Sequence, residues 1–150
     1  MIRIFNGAAN EDPEEVDKFE LKSKNLVTRT VCFESHRYGD FEWRYMGKKE
    51  RAAAGLADAN NLLVLEKLVM GNRIRVAQLV RSDRTRTAGT RPSAAGNGGK
   101  LEMCLIGENG DVLLDEVTVV SSCLVMLKKE IDRLRTVQIM VMAGAGGGGA

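Results

Sequence analysis

From Val117 to Leu127 the chain is apolar apart from Thr118, Ser121 and Ser122, and the run stops abruptly at Lys128 and Lys129. Val117, Val119 and Val120 favour a strand, whereas Leu124, Met126, Leu127 and the charged residues up to Arg135 favour a helix. Length decides for a helix from about Asp115 to Arg135, with Asp115 and Glu116 at the end of the helix dipole that favours carboxylates. Projected at about 100° per residue, the apolar side chains cover nearly the whole circumference, and a helix apolar all round is one buried on all sides. The run is well short of the roughly 20 residues that a membrane span needs. Protein should therefore surround it, and strands should do the wrapping. Thr118 and Ser122 can bond back to the helix's own carbonyls. Past Lys128 the pattern becomes charged, with Ile131 and Leu134 on one side, so the helix should emerge into solvent there.

The strands lie upstream. Val27, Val31 and Phe33 share one parity, and Phe41, Trp43 and Tyr45 alternate with Glu42 and Arg44. With Arg37 to Asp40 as the turn, this predicts a hairpin with one aromatic face whose rings, Trp43 among them, form core. Leu62 to Leu68, the turn Met70-Gly71-Asn72, and Ile74, Val76 and Val80 alternating with Arg75, Ala77 and Leu79 predict a second hairpin. Lys100 to Ile106 reads as strand, and Asn109-Gly110 is the pair a type I′ turn prefers, leading into Val112 to Leu114. Met46 to Asn61 fits a turn of helix or a long connection equally, and Thr85 to Gly99 reads as a surface loop. The division is thus a loose polar lead-in over 1–25 with one short strand near Phe19 and Leu21, a folded domain over 26–135, and a helix end with a Gly/Ala-rich disordered tail over 136–150.

Composition narrows the setting. The chain has 150 residues, 44% hydrophobic and 28% charged, ordinary for one globular domain. Net charge is only +2, so electrostatic arguments must rest on local clusters. Nothing at the start resembles a signal peptide. The three cysteines Cys32, Cys104 and Cys123 all lie in apolar stretches, which points to buried reduced thiols and a cytoplasmic setting, with contact at membranes peripheral at most.

The motifs Phe41-Glu42-Trp43-Arg44, Leu63-Val64-Leu65-Glu66-Lys67, Arg75-Val76-Ala77-Gln78-Leu79 and Leu114-Asp115-Glu116-Val117 together resemble the tubby C-terminal-like superfamily, in the form of an uncharacterised fungal-type domain. Plant LURP-one-related proteins and phospholipid scramblases belong to the same superfamily. The resemblance spans about Val31 to Arg135 and implies a mainly β fold, an antiparallel barrel around a hydrophobic C-terminal helix. Members carry further strands before the aromatic hairpin, so the short lead-in implies an incomplete barrel with exposed edges.

The strongest local signal is basic. Arg73, Arg75, Arg81, Arg84, Arg86 and Arg91 fall in one segment whose single acid is Asp83. Guanidinium forks bind phosphate oxygens in pairs, so the cluster is the candidate site for an anionic ligand, with anionic phospholipid the partner that the resemblance implies. Solvated arginines that block edge pairing are the plainer account. Specific nucleic-acid binding is disfavoured, because the aromatic residues do not interleave with the arginines. No enzyme is expected. His36, the one histidine, falls in a turn; the cysteines lack paired metal-ligand spacing; Asp115 and Glu116 are helix-start residues; and Gly96 to Gly99 run into Lys100 of a strand rather than a helix. Neither cofactor nor metal is implied. The function expected is non-enzymatic, either binding anionic lipid or phosphate at a membrane surface or acting as a structural or protein-interaction domain through exposed strand edges, with self-association among its outcomes.

Overall fold

The computed structural model describes residues 2–3, 18–24, 29–85, 88–89 and 99–145. Their elements run β1 (Ile2–Arg3), β2 (Lys18–Phe19), β3 (Lys22–Ser23), β4 (Val31–Ser35), β5 (Gly39–Tyr45), α1 (Lys48–Ala53), β6 (Asn61–Val69), β7 (Asn72–Arg81), β8 (Lys100–Met103) and α2 (Glu116–Ala145). β1 pairs with β2, and the other six strands form one antiparallel sheet in the order β3-β4-β5-β6-β7-β8. Each strand neighbours the next in sequence, so the sheet is a meander and it is open: β3 and β8 are its two edges.

The aromatic hairpin forms as its alternation predicts. Val31 faces Trp43 and Phe33 faces Phe41 across β4 and β5, and all four are buried. Phe33 stacks on Phe41 with ring centroids 5.1 Å apart, and Phe19 joins them at 4.9 Å. Phe19 and Leu21 are thus core residues. On β6 the same face carries Leu63 and Leu65, and on β7 Val76, Ala77 and Leu79.

α2 lies on this face. Asp115 starts it: its side chain accepts from the Thr118 amide at 2.8 Å and from the Thr118 hydroxyl at 2.5 Å, which satisfies donors that open every helix. Val119, Cys123 and Met126 pack on the sheet. The indole N–H of Trp43 donates to Ser122 Oγ at 3.0 Å, while that hydroxyl donates to Val119 O. Ser122 so bonds back to its own helix as expected and also supplies the acceptor that a buried tryptophan requires.

Two expectations about the helix are corrected. The helix is not wrapped: Val117 is 51% and Leu124 61% exposed on the side away from the sheet. A barrel filled by its own side chains takes about eight strands, and an open sheet of six covers one side of a helix only. The helix also continues ten residues past Arg135, to Ala145, and it leaves the protein surface beyond Ile131, as the charged pattern predicts.

The opposite face of the sheet is divided. One part is covered by α1 and the loop after it, where Met46, Leu56, Ala59, Leu62, Val64 and Val80 form a second apolar cluster. α1 starts where the Gly47 amide donates to Glu50 Oε2 at 2.8 Å, half of a capping box. The β6–β7 hairpin turns on Met70 and Gly71, both with positive φ (47° and 83°), the backbone of a type I′ turn. At Asn109-Gly110 only Gly110 has positive φ, and the Gly110 amide donates to Gly107 O, so the expected type I′ turn is replaced by a longer loop closed by the Ile106–Val112 bridge. Cys104 is exposed, correcting the expectation of three buried thiols. Cys32 is half-buried and Cys123 buried, and all three are free.

Candidate functional site

The register between β6 and β7 shifts between Leu65 and Glu66: Leu65 faces Ala77 but Glu66 faces Arg75. Val76 is therefore the extra residue of a β-bulge, and both Val76 and Ala77 join the core under α2. Strict alternation puts Arg73, Arg75 and Arg81 on one face. The bulge splits them, sending Arg73 and Arg75 to the face away from α2 and leaving Arg81 on the helix side.

On the outer face Glu42 and Glu66 sit directly opposite each other on β5 and β6. Two carboxylates so placed repel. Arg73 resolves this: one guanidinium nitrogen donates to Glu42 at 2.7 Å and to Glu66 at 2.8 Å. Lys24 adds a bond to Glu42 at 2.9 Å, and Arg44 grips Glu66 through two nitrogens at 2.8 and 3.1 Å while reaching Glu50 at 3.1 Å. Across the face the signs alternate from Lys24 through Glu42, Arg73, Glu66 and Arg44 to Glu50, and the positive charge is matched.

The protonation behaviour follows. Burial alone would raise the carboxyls of Glu42 (2% exposed) and Glu66, but hydrogen bonds outweigh it. Lys24 and Arg73 hold Glu42, and Arg44 and Arg73 hold Glu66, below the ordinary glutamate value. Cys32 stands beside this network, its thiol 3.7 Å from Glu42 Oε2, and burial followed by the Glu42 charge pushes it up, the opposite of an activated nucleophile. Arg75 donates to Gln78, which donates to Glu102, and Glu102 pairs with Lys100.

Arg81, buried on the helix side, points at Glu130 of α2 with Nη1 to Oε2 at 3.5 Å. The Tyr45 hydroxyl donates to the same oxygen at 2.5 Å, and burial together with that carboxylate raises the phenol above its ordinary value. Arg29 lies 3.9 Å from the other Glu130 oxygen and 5.8 Å from the Tyr45 ring centre. This cluster ties the lower half of α2 to β5 and β7.

The structure thus brings Arg73 and Arg75 to one face, places Arg81 on the other, and leaves Arg84 exposed in the turn after β7; Arg86 and Arg91 lie outside the described residues. The described arginines do not converge on one point. His36 lies exposed in the β4–β5 turn. Among the described residues no group of three or more His, Cys, Asp or Glu is placed to hold a metal ion.

A different surface stands out. Beyond Ile131 the described side chains of α2 are exposed, among them Val137, Ile139 (67%), Met140, Val141 and Met142 (77%). Contiguous apolar exposure of this kind marks a contact surface. No helix among the described residues is long and apolar enough to cross a membrane. Comparison with protein-family models gave no match, and comparison with curated proteins and with solved structures gave none either.

Proposed function

We propose that this chain is a non-enzymatic protein-interaction domain whose contact surface is the solvent side and projecting end of α2. The observation that carries the reading is the apolar exposure of Val137, Ile139, Met140, Val141 and Met142 on a helix anchored at its other end by Trp43, Tyr45 and Arg81. A rigid sheet that presents an apolar helix is suited to fill a groove or another helix on a protein partner. The sheet edges are less suited, since β8 carries Lys100 and Glu102, charges of the kind that discourage strand addition. An anionic ligand held by the arginine cluster is less well served, because Arg73 and Arg81 already face carboxylates. Kinship with the tubby C-terminal-like superfamily belongs to the same reading, with the open sheet as a partial barrel. Its support is the motif order and the hydrophobic C-terminal helix laid across antiparallel strands.

A photo-crosslinking amino acid at Met142 of the full chain, activated in cells, tests the proposal. The expected product is a discrete protein adduct that survives high salt and disappears with Val141→Glu. Adducts to lipid alone would replace the proposal with membrane-surface insertion, and absence of any adduct would overturn it.

A further inference from the structure

The apolar residues of α2 follow a period that a helix lying on a sheet does not need. Val117, Val120, Leu124, Leu127, Ile131, Leu134, Gln138, Val141 and Ala145 are spaced three and four apart in alternation along the helix. Lettered as heptads with Val117 at a, they occupy every a and d position, and all but Gln138 are apolar. The residues that α2 buries against the sheet are Thr118, Val119, Ser122, Cys123 and Met126. These fall at b, c, f and g. The sheet therefore uses one side of the helix and leaves much of the a/d stripe open, with Val117 51%, Leu124 61%, Leu134 39% and Val141 65% exposed, while Val120 and Ile131 are half-buried and Leu127 packs on the edge of the core.

A repeat of 3.5 residues keeps a seam facing a second helix of the same period, which is what a globular core does not require. We infer that the occupant of this seam is the α2 of a second copy of this chain, running parallel and in register. This inference rests on the interaction reading above and names the partner. Charge disfavours the antiparallel direction, which would oppose the basic e positions Lys128 and Arg135 of the two copies. In-register copies also place Gln138 against itself, where two amides bond to each other, and a single polar a position of this kind fixes register. With 30 residues the helix is about 45 Å long, room for four heptads.

The test is sedimentation velocity on the full chain over about 1 to 100 μM, where mass action makes a reversible dimer concentration-dependent. A dimer is expected. Leu134→Glu with Val141→Glu should shift it to monomer, weakening association on the order of 100-fold or more, because both charges enter the seam. Arg133→Glu with Thr136→Glu, at c and f, should leave the dimer intact. All four residues lie beyond the sheet-covered part of α2, so a urea midpoint unchanged at dilutions where the unaltered chain is also monomeric separates lost association from lost folding. Gln138→Cys in a Cys104→Ser background should oxidise to a disulfide-linked dimer, which antiparallel packing would not give. A chain monomeric throughout, or a dimer lost equally with the c/f variant, overturns the inference. If the monomer still yields a heterologous Met142 adduct, the interaction reading stands without self-association; if it yields none, both fall.

Discussion

The two faces of the sheet solve opposite problems with the same strands. Toward α2, β5 presents Phe41, Trp43 and Tyr45, and burial of rings needs only an acceptor for each polar tip, Ser122 for Trp43 and Glu130 for Tyr45. Away from α2 the alternate residues of the same strand are Glu42 and Arg44, and burial of the Glu42 and Glu66 carboxylates there depends on cations from β5 itself, β7 and the lead-in. Apart from Arg81 and Arg29 at Glu130, the helix face is held by area, which responds little to pH and salt. The outer face is held by matched charge, which is sensitive to both. What joins them is the bulge at Val76, since only an extra residue on that edge of the pair can put Ala77 in the core and Arg75 with Arg73 outside.

The largest effect should come from the helix face. Trp43→Ala removes the largest fully buried side chain and should cost about 3–5 kcal/mol, measured as a fall in the urea midpoint. Ser122→Ala keeps the ring and deletes only its acceptor, so it should cost about 1–3 kcal/mol for a buried N–H left unmet. Cys123 reports on the same interface, for burial pushes its thiol up to about 11. Alkylation near neutral pH should label exposed Cys104 readily and Cys123 slowly, and Trp43→Ala should erase that difference. If Cys123 labels as fast as Cys104 in the unaltered protein, the helix is not held on this face.

Next in size is the outer face. Arg73→Ala leaves Glu42 and Glu66 opposed without their shared donor; with Lys24 and Arg44 still in place, the cost should be on the order of 1–3 kcal/mol. The pH dependence has a fixed sign. Both carboxyls are held below the 4.5 of an ordinary glutamate, so their stabilisation is fully present above that pH and is lost as the pH falls through the lower folded-state values. Glu50 and Asp132 are also held low, by Arg44 and Lys128, but they are exposed and salt should screen these pairs. Stability measured in moderate salt should thus drop below pH 4.5 in the unaltered protein and drop less in a Glu42→Gln, Glu66→Gln variant. Equal acid sensitivity in the two would mean the network does not hold the outer face.

The contrast between the faces also accounts for what the sequence discloses. Alternation of Phe41, Trp43 and Tyr45 makes the apolar face legible, and Asp115 before an apolar run makes the helix start legible, because both signals are local. The ion network is not local: Glu42, Glu66 and Arg73 sit on three strands, and their meeting depends on register. Val76 and Ala77 are both apolar, so nothing in the sequence marks the bulge, and period-two reading merges Arg73, Arg75 and Arg81 into one basic cluster that the structure divides. The length of α2 was obscured for a related reason, since Val137 to Met142 is apolar except at Gln138 and shows no polar face opposite a sheet it never reaches.

The smallest effect belongs to the turn that sets the β6–β7 register and so feeds both faces. Met70 adopts φ 47°, a left-handed conformation that side chains rarely take, and at 99% exposed it gains no packing in return. A type I′ turn needs positive φ at both central residues, which glycine and asparagine accept most readily. Met70→Gly should relieve the strain while making the unfolded chain more flexible, and these oppose each other. Met70→Asn avoids most of the second cost, so it should be the better of the two, raising stability by about 0.5–1 kcal/mol. Because the turn sits at the outer end of the hairpin, beyond the Lys67–Ile74 pair, the gain should appear without any change in acid sensitivity or in Cys123 protection. A Met70→Asn variant that shifted either would place the turn in control of the bulge, and the two faces would then be coupled through the hairpin end rather than through Val76 alone.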